Sequence, residues 1–265
     1  MHLNKIFNNK KALITLISII LLIAIAVVCI IVAVSDTDDI AGSETTTGIP
    51  ADNNSNVLSG DSTFLVVITD ESNDIVLPLL AEFKIYSKCL VLTPLDKDTL
   101  SSDGRSYSEC YSYGGINLLE SSVEGVRNVD IDRYAVINKS GFNRLTELMG
   151  EVSLYINEDF TYATSDKTYT VTMGNNDMGS DMLFTYIALL AERENGETAA
   201  AEIVCTVVNS YLQNLDSYDS EELFGDVTNC FSTNVTISDY YTAESDISYL
   251  IENGFECILS SGIDG

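Results

Sequence analysis

"DRYAVINKSGFNRLTELMG", Asp132 to Gly150, holds a strand and a helix back to back. Asp132–Asn138 is a short run rich in β-branched and aromatic residues, the composition of a strand. Ser140 reads as the N-cap of a helix. Phe142, Leu145, Leu148 and Met149 then repeat at helical spacing, and Gly150 stops the run. A strand that feeds at once into an amphipathic helix is the unit of an α/β fold. The neighbouring segments repeat the alternation. Upstream, "FLVVIT" (Phe64–Thr69), "DIVLPLL" (Asp74–Leu80) and "KCLVLTPL" (Lys88–Leu95) are apolar runs of strand length. Their unbroken apolar character suits strands covered on both faces. Gly114-Gly115 opens a helix with Ile116, Leu119, Val123 and Val126 at helical spacing. Downstream, "VSLYI" and "TYTVT" read as strands, and Met182–Leu190 and Ala199–Leu212 as helices. Strands interleaved with helices define a layered α/β domain.

Charge narrows the chemistry. The 265 residues carry 40 Asp and Glu against 13 Lys and Arg, a net charge of −27. No basic patch exists to neutralise nucleic-acid phosphates, so nucleic acid is excluded as a partner. The single histidine, His2, precedes the apolar N-terminal segment. Histidine-based hydrolytic triads and histidine-ligated zinc therefore have no place in the domain.

Residues 12–34 are 23 positions without a charge. At about 1.5 Å per residue they reach roughly 35 Å, enough to cross a bilayer core of about 30 Å. The segment is also longer than the apolar core of a cleaved signal peptide. Lys5, Lys10 and Lys11 precede it, and Asp36, Asp38 and Asp39 follow it. The positive-inside rule then places residues 1–11 in the cytoplasm and the rest outside, on a single-pass protein of the cell membrane. Residues 35–61 are rich in Asp, Ser, Thr, Asn and Gly and read as a solvated linker. The domain is expected over 62–257, with a tail at 258–265. Outside the membrane ten basic residues face forty acidic ones. Five cysteines (Cys89, Cys110, Cys205, Cys230, Cys257) lie there, an odd number with no C-x-x-C pair, so zinc is not expected. They are either buried free thiols or include a disulfide.

The order of these segments resembles the LytR–CpsA–Psr family of bacterial cell-envelope proteins. "FLVVITD" is similar to the family's first strand and its aspartate, here Asp70. "LTPLD" stands where the family has Ile-Pro-Arg-Asp, and "YSYGG" where it has Ala-Tyr-(Ala/Tyr)-Gly-Gly. "VDIDRYAVINKSGFNRLTELMGEV" resembles an Ile-Asp-x-Tyr, Gly-Phe, Leu-Gly-Gly-Val series. "ELFGDVTNCFSTNVTISDY" resembles the closing segment. The resemblance implies a three-layer α/β/α domain with a mixed central sheet, preceded by one N-terminal transmembrane helix. It further implies transfer of a glycopolymer from a polyprenyl pyrophosphate carrier to peptidoglycan. The lipid would lie in an apolar tunnel, arginines would hold the pyrophosphate, and aspartates would hold Mg2+.

This copy departs from that pattern at the cations. The family's Arg-(Ser/Thr)-Asp is similar to Ser72-Asn73-Asp74 here, and Ile-Pro-Arg-Asp to Thr93-Pro94-Leu95-Asp96. Tyr-Val-Arg-x-Arg resembles Tyr186–Leu190, with both basic positions lost. Asp-x-Gly-Arg-x-x-Arg-Gln resembles a stretch in which Gly196 survives and the arginines become Glu197 and Ala200. Lys97 and Arg105 are the basic residues nearest the expected mouth. They are ligand-binding candidates, with Gly114 and Gly115, or else solvated surface charges. The glycine pair either lets backbone N–H groups approach a phosphate or only permits a tight turn. Asp70, Asp74 and Asp96 either bind a divalent cation, with Asp74 and Asp96 as catalytic candidates, or hydrogen-bond the turns at strand ends. The expected function is a role in envelope glycopolymer assembly without catalysis, alongside a catalytic paralogue. The alternatives are an active metal-dependent transferase and a generic acidic sensor or adhesion ectodomain.

Overall fold

The computed structural model describes residues 61–163, 168–213 and 225–260, apart from nine positions from 238 to 252. The expected transmembrane segment, and the linker except for its last residue, lie outside these residues. Among the described residues no helix is long and apolar enough to cross a membrane.

The fold is a mixed α/β domain on a six-stranded sheet. Strands β1 (Ser62–Thr69), β2 (Ile75–Lys84) and β3 (Cys89–Pro94) follow one another as an antiparallel meander. Helix α1 (Tyr107–Arg127) then crosses to β4 (Arg133–Asn138), which pairs with β1 in parallel. Helix α2 (Lys139–Met149) follows directly. Four short strands come next: β5 (Val152–Ile156), β6 (Phe160–Ala163), β7 (Thr168–Val171) and β8 (Gly174–Met178). They form two separate pairs, β5 with β8 and β6 with β7. Helices α3 (Ser180–Ala191) and α4 (Glu197–Gln213) lead to edge strands β9 (Ser232–Thr233) and β10 (Glu256–Leu259). The sheet order is β10-β3-β2-β1-β4-β9. Its last strand runs to Leu259, two residues past the expected domain end.

Strand β1 shows why the runs near the N-terminus are apolar throughout. Phe64, Val66 and Ile68 enter a core beneath α2, α3 and α4, while Leu65 and Val67 enter a second core beneath α1. Both faces are covered, so no position has to be polar. Pro78 sits in an inner strand without loss, because β3 pairs with β2 only from Leu79↔Pro94 onward. Its carbonyl still accepts from the Leu95 N–H at 3.0 Å.

Two helix starts differ from expectation. Helix α2 begins at Lys139, capped by Asn138, whose side chain accepts from the Gly141 N–H at 2.8 Å. Ser140 already lies inside it. Helix α1 begins at Tyr107, seven residues before the glycine pair. A reciprocal capping box starts it: Ser106 Oγ accepts from Glu109 N–H at 3.2 Å, and Glu109 Oε2 accepts from Ser106 N–H at 2.8 Å. The glycine pair breaks this helix instead of opening it. Gly115 has φ 67° and ψ −159°, a conformation that is essentially glycine-only. The bend separates a tyrosine-rich first segment from a second that puts Leu119 and Val123 on the sheet.

Candidate functional site

Strands β1, β3 and β4 run the same way, so Asp70, Asp96 and Lys139 all stand at the carboxyl edge of the sheet, where open α/β sheets bind ligands. Here the loop after β3 meets the turn between α3 and α4. Together they line an open pocket of about 340 Å3. Its lining includes five carboxylates (Asp96, Asp98, Glu192, Glu194, Glu197) and two cations, Lys97 and Arg193. Neither cation is free. Lys97 Nζ lies 2.6 Å from Glu192 Oε1, and Arg193 pairs with Glu158. Arg105 stands apart from this pocket; it binds Asp103 at 2.8 Å and stacks over the Tyr113 ring at 4.3 Å.

The aspartates serve the turns. Asp70 Oδ1 accepts from the N–H groups of Ser72 (2.8 Å) and Asp74 (2.9 Å), and Asp96 Oδ1 accepts from Asp98 N–H at 2.8 Å. Among the described residues no three His, Cys, Asp or Glu side chains are gathered to hold a metal ion. Asp70, Asp74 and Asp96 as arranged therefore do not fit a magnesium site, which needs several oxygens converging on one point.

Three of the six positions where the family has arginine lie in the interior. Leu95 is fully buried in the core under α1, Ala200 is fully buried in the opposite core, and Leu190 is buried there too. Gly196 survives for a packing reason. A Cβ there would meet the Leu190 carbonyl oxygen at 1.9 Å, so α3 and α4 could not approach across their short turn.

A second cavity lies between the sheet and helices α2, α3 and α4. It offers only about 80 Å3 of room, walled by Val66, Ile68, Phe142, Ile187, Val207 and other apolar side chains. Its one polar atom of note is the Tyr211 hydroxyl, which lies 3.4 Å from the Gly150 carbonyl. Burial pushes the Tyr211 phenol up to about 12.

A third, open cavity of about 460 Å3 adjoins the opposite side of α2. Its lining has no carboxylate and a single cation, Arg144, whose guanidinium donates to the Asn229 carbonyl at 3.3 Å. Neither Arg144 nor this groove was singled out from the sequence. Arg144 falls between Phe142 and Leu145 in sequence but on the exposed face of α2 with Ser140, where a cation carries no signal of its own. The five described cysteines, Cys89, Cys110, Cys205, Cys230 and Cys257, are all free thiols. Cys205 Sγ lies 3.0 Å from the Cys257 carbonyl.

The profile of the LytR_cpsA_psr family matches residues 95–258. The chain therefore belongs to the LytR–CpsA–Psr family, in agreement with its mixed sheet and apolar cavity. Among curated relatives, the polyisoprenyl-teichoic acid--peptidoglycan teichoic acid transferase TagU of Enterococcus faecalis is 24% identical over 162 residues, covering 59% of this chain and 52% of that protein. The chain spans about half the length of the curated relatives it matches. Among solved structures, a protein from Eubacterium siraeum superposes with a TM-score of 0.62 at 17% identity, over 84% of this chain and 93% of that one. TagT bound to LIIa-WTA superposes with a TM-score of 0.57 at 14% identity, over 78% and 81%. At these identities the structures establish a shared fold.

Proposed function

We propose that this chain is a membrane-anchored, non-catalytic member of its family, standing outside the cell. It would bind the lipid tail of a polyprenyl-linked glycopolymer and act as a scaffold or regulator beside a catalytic paralogue during cell-wall assembly. The observation that carries this reading is the charge of the strand-edge pocket. Phosphoryl transfer from a pyrophosphate depends on positioned cations. Here five carboxylates confront two cations, both already paired. Each charge-assisted contact to a guanidinium is worth about 1.5–3 kcal/mol, and four or five such contacts are missing. The lipid side of the reading rests on the apolar lining of the small cavity between the sheet and helices α2, α3 and α4. Burial in it is worth about 0.8 kcal/mol per CH2 of a tail. The name of the related transferase supplies the substrate class, a polyisoprenyl-linked glycopolymer.

The test is a transfer assay with the full chain, a lipid-linked glycan, peptidoglycan and magnesium. No product is expected, while an isoprenoid alcohol still binds. Turnover that disappears in Asp74→Ala would show an active, metal-dependent transferase and end the proposal.

A further inference from the structure

None of the five described cysteines has a part in the proposed function, yet two of them are built into one contact. Cys205 on α4 and Cys257 on β10 are 52 residues apart in sequence, and Cys205 Sγ donates to the Cys257 carbonyl at 3.0 Å. The Cys257 thiol in turn hydrogen-bonds the Cys205 sulfur. Asn209, one turn further along α4, holds Cys257 by both main-chain groups. Its Nδ2 donates to the Cys257 carbonyl at 2.8 Å, and its Oδ1 accepts from the Cys257 N–H at 2.8 Å. The same Nδ2 lies 3.8 Å from Cys205 Sγ. Glu256 and Ser260 donate towards β3, to the Lys88 and Leu92 carbonyls, so the main-chain groups of Cys257 face the open edge of the sheet. Helix α4 satisfies them there, and this fixes the two cysteines against each other.

Register and topology exclude the other pairings. Cys89 stands opposite Glu256 on β10, and Cys257 stands opposite Leu90 on β3. Side chains alternate between faces along a strand, so Cys89 and Cys257 point to opposite sides of the sheet. Cys110 lies on α1, against the hydroxyls of Ser101 (3.6 Å) and Ser122 (3.3 Å). Cys230 adjoins β9 at the far edge of the sheet and lies 3.4 Å from the Asp226 carbonyl. The two members of the remaining pair differ in access. Cys257 is 3% exposed, whereas Cys205 is half-buried. An accessible thiol backed by a buried one is the arrangement of an attacking cysteine and its resolving partner.

We propose that Cys205 and Cys257 form a dithiol site that a small-molecule disulfide oxidises to an intramolecular disulfide. Cys205 gives its proton to solvent and its sulfur attacks one sulfur of the reagent. An S–S bond forms to Cys205, the reagent's own S–S bond breaks, and one thiolate leaves and takes up a proton. Cys257 then loses its proton and attacks the Cys205 sulfur, displacing the second thiolate, which is protonated in its turn. Two protein thiols and one reagent disulfide become one protein disulfide and two reagent thiols, with two electrons passing to the reagent. The step replaces the Cys205 hydrogen bond to the Cys257 carbonyl, while Asn209 keeps its two bonds to β10. The product ties α4 to the sheet edge. Val204, Val207 and Val208 on that helix wall the apolar cavity, so the bond also fixes one side of it.

The experiment treats the reduced full-length chain, in mild detergent, with glutathione disulfide. Remaining thiols are then blocked, and the chain is mapped by peptide mass without reduction, with thermal unfolding read alongside. The wild-type chain is expected to carry a Cys205–Cys257 crosslink and to keep Cys89, Cys110 and Cys230 free. Cys257→Ser is expected to stop at one glutathionyl group on Cys205, and Cys205→Ser to leave Cys257 unmodified. The oxidised wild-type chain is expected to unfold about 5–15 °C above the reduced one, because the bond restricts the unfolded chain, and dithiothreitol should reverse the shift. A crosslink of Cys205 or Cys257 to any other cysteine, a mixed disulfide that persists on wild-type Cys205, or no loss of thiols overturns the proposal. An oxidised chain that unfolds no higher than the reduced one also overturns it, by showing that the sulfurs meet only when the fold is distorted. The wild-type map decides by itself where Cys257→Ser fails to fold.

Discussion

Returning an arginine to position 95 should unfold the domain, not rebuild a phosphate site. Leu95 is fully buried, in the core that also holds Leu80, Tyr107 and Leu119, and its N–H is tied to the Pro78 carbonyl. Leu95→Ala removes the side chain and leaves a void, which costs about 2–5 kcal/mol. Leu95→Arg loses the burial of the leucine, about 1.5–3 kcal/mol, and forces a guanidinium into an apolar core with no carboxylate in it. That second penalty is several kcal/mol for an unpaired ion. The sum is comparable with the whole stability of an ordinary domain, about 5–15 kcal/mol. Urea unfolding of the full chain in mild detergent, followed by far-UV circular dichroism, measures both variants. Leu95→Ala should lower the midpoint clearly, and Leu95→Arg should be unfolded or nearly so in the absence of urea. A Leu95→Arg protein within about 1 kcal/mol of wild type would refute the reasoning. The side chain would then have swung out to the pocket, and the missing arginine would be a reversible surface exchange.

Gly196→Ala should cost about 1–3 kcal/mol, because its Cβ would fall 1.9 Å from the Leu190 carbonyl oxygen; thermal unfolding checks it. Gly115→Ala should cost about 1–3 kcal/mol through backbone strain at φ 67°, read in the same assay. The phenol of Tyr211 is raised from 10.0 to about 12 by burial, so the folded state holds its proton after the unfolded state has released it. Its stabilising share is intact below about pH 10 and is lost as pH rises from 10 towards 12; urea midpoints across that window should fall less steeply in Tyr211→Phe. Cys205 is half-buried, and hydrogen bonding to Cys257 lowers its pKa, whereas burial raises those of Cys89 and Cys230. Thiol labelling of the native outer domain at neutral pH should therefore modify Cys205 first, as peptide mass mapping would show.

The sequence was readable where one physical signal dominated. Apolar runs with both faces covered marked β1, β2 and β3, and helical periodicity marked α2, α3 and α4. Strand β8 was invisible because "GNNDM" has no apolar alternation; it forms only by pairing with β5. The tyrosine-rich start of α1 was masked by the glycine pair, although Ser106-x-x-Glu109 carried a capping-box signal. The loss of cations at the strand edge was legible from residue types alone. Which remaining cation escapes pairing was not, because Glu192 reaches Lys97 and Glu158 reaches Arg193 only through the tertiary fold.

The apolar cavity and the strand-edge pocket answer to different physical constraints. The apolar cavity needs only side-chain volume and periodicity, and these same residues form the main core, so mutations that erase it would also threaten folding. At two positions where the family has arginine, Leu95 and Ala200 add buried apolar contacts to the fold. Stability thus opposes a charge at either position. With net charge −27, an anionic carrier gains nothing from long-range attraction, and beyond about 8 Å salt screens what repulsion remains. Recognition of an anion would then have to come from contact, and the strand-edge pocket, with five carboxylates against two paired cations, opposes it.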